Sequence, residues 1–446
     1  MADLLDLCRA ALSQSNDDEQ AEAFAAENRR TQVKARAGEV DSLSASESRG
    51  VGVRALIGGR LGYAWAADPS MGDAAALLPA ARENAALATA DEANELPTAS
   101  QSEDLPWLFR PAMEALETSR KVSLALDLER AATSSDPAVQ KVEEVLYGDA
   151  ISRVALASTV GVSGEYARTD CWCMVSALAE RNGETQSGFS FRVARETDEL
   201  PWQEVATEAA VRGARLLGAT KPQTERLPVV LDPWAAAGFL GVLASALSAE
   251  ERQKGRSLLA GLVGEEVASP VLSLVDDGRL PEGPASSPID DEGVPTTRTM
   301  LVGGGRLLGF LHNTVTARRE GGASTGNASR PSYRGVPGVS PSNLFMVPGP
   351  ETPETVLARA GKAVYVQDLT GLHSGANPVS GEFSVGATGL RIDGGALGEP
   401  LREMTIASTL FDVLKQVVAV GSDLRFYAGS IGSPTLLIGE MTVAGR

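Results

Sequence analysis

Histidine is nearly absent from this chain. Two occur in 446 residues, His312 and His373, and with Cys8, Cys171 and Cys173 they are its whole stock of nitrogen and sulfur metal ligands. A catalytic zinc site takes three such ligands plus an open position for water. The two histidines are too far apart to share a helical face, so a zinc site built by this chain alone is not expected. Asp and Glu total 58, yet there is no D-x-D-x-D-G calcium loop and no G-x-x-x-x-G-K-[ST] phosphate loop. Three cysteines fit a reducing compartment. Cys171 and Cys173 fall on one face of a strand and read as small buried hydrophobes.

Basic charge is in the minority. Lys and Arg number 40 against 58 acids, a net charge of −18, so a nucleic-acid backbone or an anionic membrane would be repelled. Long apolar runs are missing too: the longest, residues 235–249, falls short of the ~20 needed to span a bilayer. No basic and apolar leader follows Met1, so a secretory signal is not expected and the cytoplasm is the default location. What is present is a globular composition, 43% hydrophobic and 22% charged, long enough for two or three domains.

Periodicity places a first helix over residues 2–29, with Leu4, Leu5, Cys8, Ala11 and Leu12 at helical spacing. Residues 31–45 alternate loosely, and 51–57 and 60–65 flank Gly58-Gly59, a hairpin signal. An alanine-rich helix is expected over 72–88, with a kink or late start at Pro79, and residues 91–106 read as a linker. A second unit opens with a helix over 116–132. It continues in hairpins around Gly148-Asp149 and around Asn182-Gly183, the strongest short turn signal in the chain. A helix over 202–217 ends at Gly218. The third unit starts with a strand at 227–231 and a wholly apolar helix over 233–249. Strands follow at 299–302, 306–311, 383–392 and 434–443, with a short helix at 409–418.

Runs of strands with segregated helices argue for α+β rather than a doubly wound parallel sheet. The expected organisation is an N-terminal domain at 1–90, a linker at 91–115, a hairpin-rich middle domain at 116–218 and a strand-rich C-terminal domain at 226–446 with the apolar helix buried in it.

Four local patterns invite chemistry. Gly322-Ala323-Ser324-Thr325-Gly326 spells the G-x-S-x-G elbow, with His312 or His373 as base. The glycine and proline that follow oppose the helix an elbow requires, so the segment reads as a surface loop. Gly50-Val51-Gly52-Val53-Arg54-Ala55 spells a dinucleotide fingerprint but runs into a strand, where a helix N-terminus is needed. Asp290-Asp291-Glu292 before Gly293 reads as a solvated turn. The polar turn at 377–384 lies beside His373, and binding residues often sit on such loops. It makes His373, Asn377, Ser380, Glu382 and Phe383 candidates for contact with substrate.

Val267-Ala268-Ser269-Pro270, Val275-Asp276-Asp277-Gly278, Asp290-Asp291-Glu292-Gly293-Val294-Pro295-Thr296 and His312-Asn313-Thr314-Val315-Thr316-Ala317-Arg318, in that order, resemble the C-terminal domain of the TldD/PmbA family, also called TldD/TldE. The N-terminal hairpin unit, residues 377–384 and the closing Ile438-Gly439-Glu440-Met441-Thr442-Val443-Ala444-Gly445 resemble it as well, so the likeness covers nearly the whole chain.

The resemblance implies a zinc peptidase built from two related subunits. The TldD type carries H-E-x-x-x-H on a helix and a C-terminal cysteine; the TldE type lacks them, and this chain is similar to the second. Counting back from Gln253-Lys254-Gly255, Leu240 and Ser245 stand at the histidine positions and Gly241 at the glutamate. No cysteine follows Cys173, so the last ligand has no counterpart near residues 428–433. Leu and Gly cannot coordinate zinc, and without a carboxylate at 241 nothing would activate a metal-bound water. The implied chain has no catalytic residue and no metal or cofactor of its own. It supports a TldD-like, H-E-x-x-x-H-bearing partner that holds zinc, in degrading or maturing an unfolded peptide that lies on that partner as an added strand. The competing reading is a homodimeric protein that binds a peptide or small metabolite and has no peptidase role.

Overall fold

The structure is a computed structural model and describes residues 3–427 and 430–446. In chain order its first part comprises α1 (Leu4–Ala11), β1 (Gln20–Arg36), β2 (Glu39–Ile57), β3 (Arg60–Ala67), α2 (Met71–Ala75), α3 (Leu77–Leu87), α4 (Thr118–Ser135), β4 (Val139–Ser158), β5 (Ser163–Arg181), β6 (Glu184–Ala194) and α5 (Trp202–Ala214). The six strands form one antiparallel sheet in the order β3-β2-β1-β4-β5-β6. Residues 1–90 and 116–218 therefore each give three strands to one sheet, joined where β1 pairs β4 from Glu22↔Ser158 to Ala35↔Val145. α1 and α3 cover one end of a single face, and α4 and α5 cover the other.

Two sequence expectations fail in this sheet for physical reasons. The helix over 2–29 ends at Ala11, and its second half is β1. That segment favours a helix in isolation. In the fold it is a central strand bonded on both edges, with Ala21, Ala23 and Ala25 buried under α1, and tertiary pairing overrides propensity. The turn at Gly148-Asp149 does not exist either: both residues sit inside β4, paired with Trp172 and Cys171. Gly148 is there because a Cβ would lie 2.3 Å from the Trp172 indole. By contrast, Asn182 and Gly183 turn with φ of 53° and 81°, and Gly58 and Gly59 with 55° and 73°, the left-handed values a two-residue hairpin demands.

The second part contains β7 (Glu225–Leu231), α6 (Pro233–Ala244), α7 (Ala249–Gln253), β8 (Leu274–Asp277), β9 (Arg298–Gly303), β10 (Arg306–Leu307), α8 (Thr314–Arg318), β11 (Ala328–Ser329), β12 (Gly338–Val339), β13 (Leu344–Met346), α9 (Pro353–Ala360), β14 (Ala363–Thr370), α10 (Leu372–Gly375), β15 (Glu382–Asp393), β16 (Ala396–Thr409), α11 (Leu410–Lys415), β17 (Val417–Val420), β18 (Arg425–Phe426), β19 (Ile431–Ser433) and β20 (Leu436–Ala444). Strands β16-β15-β14-β7-β20 close into a barrel through the β16–β20 pairing, and β17 is added on β20. A second sheet runs β10-β9-β8-β13-β19-β18. The expected α+β class holds. The apolar helix is shorter than 233–249: it stops at Ala244, and a tighter turn, Ser245–Leu247, leads into α7. No helix among the described residues is long and apolar enough to cross a membrane.

Asp290-Asp291-Glu292 corrects a third expectation. It forms a turn, with Gly293 at φ 80°, but one pressed against the first sheet rather than solvated. Glu292 is 0% exposed, Glu22 1% and Arg54 2%. Arg54 donates to Glu292 and to Glu22, both at 2.8 Å, and Arg330 pairs with Glu22 from the other side. Asp290 accepts backbone N–H groups from Glu292, Val294 and Ala328 at 2.9–3.0 Å. Burial would lift the Glu292 carboxyl, but Arg54 and bonds from Thr314 outweigh it and hold it below the usual range. Burial, reinforced by Glu292, raises Asp290 well above that range.

Candidate functional site

α6 leaves the barrel at the end of β7 and starts where its first turn is capped. Asp232 accepts from the Trp234 N–H at 2.9 Å, and Pro233 occupies the first helical position. The cap is itself held by Arg212 of α5 at 2.7 Å and by the Tyr365 hydroxyl at 2.5 Å. The helix is apolar all round because most of it is enclosed. Phe239, Leu240 and Leu243 enter the C-terminal core, and the Phe239 ring lies 4.7 Å from Phe383.

One face stays open. Trp234, Ala237, Gly238 and Gly241 line a pocket of about 250 Å³ closed by Leu369, Leu372, Tyr427 and Ile431. Trp234 is fixed between Phe189 of β6 and Tyr427, at 4.8 Å from each, and its indole N–H donates to Asp368 at 2.9 Å. The structure thus brings Gly241 together with Ile431, one position where the resemblance expects a ligand-helix residue and one from the segment where it expects the last ligand. Of that segment, Ala428 and Gly429 lie outside the described residues.

The three ligand-helix positions do not converge. Leu240 is 1% exposed and points into the core with Leu231, Met346 and Leu436. Gly241 is exposed, and a Cβ there would meet nothing within 4 Å. Ser245 is exposed, its hydroxyl donating to the Val242 carbonyl at 3.4 Å. The donors present do not fit a zinc ion: the pocket wall is indole, alkyl and phenol. Among the described residues no three His, Cys, Asp or Glu side chains are grouped to hold a metal.

Three of the five residues in the second candidate set line one concavity. Asn377, Glu382 and Phe383 belong to an open concavity of about 520 Å³, with His373 and Ser380 outside its lining. Asn377 Oδ1 accepts from the Val379 and Ser380 N–H groups at 2.9 and 3.2 Å, so its side chain builds its own turn. Phe383 is 4% exposed and its ring belongs to the core. His373 is exposed on α10. The G-x-S-x-G reading fails on geometry: no helix follows, and the Ser324 hydroxyl donates to the His312 carbonyl at 3.1 Å, not to an imidazole. The His312 Nε2 faces Glu320 at 3.8 Å, and burial lowers its pKa. The cysteines are free and buried, and burial pushes Cys8 and Cys173 up to about 12, where a thiol is inert.

Sequence reasoning missed the pocket walls Trp234, Leu372 and Tyr427. No sequence signal marked them: the helix is apolar on every side, and of its two glycines only Gly238 has a close neighbour, Leu372, 2.8 Å from where a Cβ would lie.

Comparison with known proteins adds the family. Residues 21–88, 112–217 and 224–445 match, in turn, the PmbA/TldA metallopeptidase domain 1, central domain and C-terminal domain. The chain is 28% identical over 428 residues to a metalloprotease TldD homolog of Haemophilus influenzae, covering 89% of this chain and 87% of that one. It is 26% identical over 419 residues to metalloprotease PmbA of Escherichia coli O157:H7, covering 93% and 90%. Among solved structures, a Thermotoga maritima protein named as a modulator of a DNA gyrase superposes with a TM-score of 0.90 at 26% identity, covering 98% of each chain. TldE from Thermococcus kodakarensis gives 0.89 at 22%, covering 99% of each, a likeness of fold.

Proposed function

We propose that this chain, which belongs to the PmbA/TldD metallopeptidase family, is its metal-free, TldE-like member: a subunit that supports a zinc-bearing, TldD-like partner in hydrolysing unfolded peptides. The observation that carries the reading is the α6 pocket. Its place in the fold is where the family resemblance sets the metal helix and the last ligand, and its wall offers no imidazole, thiol or carboxylate. Leu240 packs the core and Gly241 has no side chain, so neither a Lewis acid nor a general base is available there. The role left is to hold fold and surface for a partner that supplies zinc. Three free, buried cysteines support a reducing, cytoplasmic setting for the pair.

The test is co-expression with an H-E-x-x-x-H-bearing chain of similar length, followed by native mass spectrometry, metal analysis and digestion of an unstructured peptide. The expected result is a one-to-one heterodimer with zinc in the partner and activity in the pair alone. Stoichiometric zinc and cleavage by the purified single chain would overturn it. A homodimer indifferent to that chain would instead favour a peptide- or metabolite-binding protein with no peptidase role.

A further inference from the structure

A second cavity, of about 260 Å³, lies between the first sheet and the C-terminal domain, and unlike the α6 pocket it is polar. β5 supplies Tyr166 and Arg168; the loops at 285–296 and 326–342 supply Ser287, Asp291, Asn327, Ser329 and Ser340. Two opposite charges on its walls have bonding capacity left. Arg168 Nε lies 2.9 Å from an Asp170 oxygen as an ion pair but is buried without a hydrogen bond, and the guanidinium donates none to any of the described residues. Asp291 uses one oxygen for the Arg330 N–H at 2.6 Å. Behind the wall, Asn327 donates to Asp276 at 2.6 Å, and the other Asp276 oxygen is buried without a partner.

A bare cation does not suit this site. Arg168 would repel it, and no three metal-binding side chains are grouped among the described residues. The cavity is smaller than the about 300–1,000 Å³ of drug-sized pockets, so its occupant has few heavy atoms. Of the two carboxylates on the wall, Asp290 is spent on three backbone N–H groups, which leaves the Arg168 guanidinium and the Asp291 carboxylate to match a molecule that carries an ammonium and a carboxylate together.

We propose that the cavity binds a free, polar α-amino acid, with its carboxylate on Arg168, its ammonium on Asp291, and its side chain among the hydroxyls of Tyr166, Ser287, Ser329 and Ser340. The walls come from both domains, so the ligand braces the seam between them and stabilises the folded chain by mass action. The inference concerns this chain by itself and stands whether or not it partners a zinc subunit.

The experiment is calorimetric titration and thermal unfolding of the intact chain with L-serine, L-asparagine and L-glutamine, each beside its N-acetyl amide, which lacks both charges. Saturable binding and a raised Tm are expected for at least one free amino acid and for none of the amides. Arg168→Gln should weaken binding about tenfold or more, the loss of one charge-assisted contact. Ser340→Leu, which fills the cavity and leaves the Arg168–Asp170 pair alone, should abolish it and carries the test if Arg168→Gln does not fold. No saturable binding of any of the three, equal binding of an amide, tighter binding of a dipeptide than of its free amino acid, or undiminished binding by Ser340→Leu overturns the assignment.

Discussion

The α6 pocket and the turn at 290–292 lie in the same C-terminal part and use side chains in opposite ways. Around the pocket, Trp234, Leu369, Leu372, Tyr427 and Ile431 meet a helix face of alanine and glycine. At the turn, Arg54, Glu22, Glu292 and Arg330 are buried in one ionic cluster that fastens this part to the first sheet. The interior of the protein is therefore well able to hold charge. The want of metal ligands at α6 is local, as the proposed division of labour between subunits requires. Burying charges is costly unless each finds its partner, and in this cluster Arg54 and Arg330 answer Glu22 and Glu292.

That contrast can be broken most forcefully at Arg54. Arg54→Met strands Glu22 and Glu292 without their shared cation, and breaking a buried pair costs about 3–5 kcal/mol; urea unfolding should show it. A loss below about 1 kcal/mol would mean the cluster is surface-like and the contrast false. On the other side, Leu240→Ala should cost about 2–5 kcal/mol by leaving a void in the core. A cost near zero would move residue 240 to the pocket wall, where a histidine could have served.

A third measurement sharpens the charged side, where paired and unpaired carboxylates should respond to pH with opposite signs. Burial pushes the Asp276 carboxyl up to about 7 from 3.8. The folded state then binds the proton more tightly, so this group's contribution is full below pH 3.8 and is lost as pH rises to about 7. Glu292, held below its usual 4.5, contributes above that pH and loses its contribution as pH falls through its lowered value. Urea midpoints at pH 5 and pH 8 should fall less for Asp276→Asn than for the natural chain. An identical fall in both would remove Asp276 from the account.

The smallest effect is expected at Gly241. Its Cβ position is open, so Gly241→Ala should stabilise the helix by about 0.5–1 kcal/mol. Gly238→Ala would gain less, because its Cβ comes within 2.8 Å of Leu372. Equal midpoints for the two variants would show that the pocket face has been misplaced.

Glycine shows why some of this was legible and some not. At Asn182-Gly183 and Gly58-Gly59 the backbone must turn left-handed, a demand met within two residues, so sequence reveals it. At Gly148 the demand comes from Trp172 on the neighbouring strand, and a local reading mistakes the residue for a turn. The apolar helix was visible as a run, but a helix apolar on every side gives no sign of which face is open, and only packing against Leu372, Tyr427 and Ile431 shows it. Within the candidate set at 373–383, polarity in sequence did not reveal that Phe383 turns inward to Phe239.

By itself the sequence determined the inventory: two histidines, an acidic surface, local turns, the α+β class and an ordered set of motifs that resembles one family. Those properties are sums over residues or depend on near neighbours in the chain. Burial does not. Asp290-Asp291-Glu292 reads as solvated until Arg54, 238 positions from Glu292, is brought against it. Only the tertiary structure decided which carboxylates left water and which helix face stayed open, because the cost of burying a group depends on partners that the fold alone delivers.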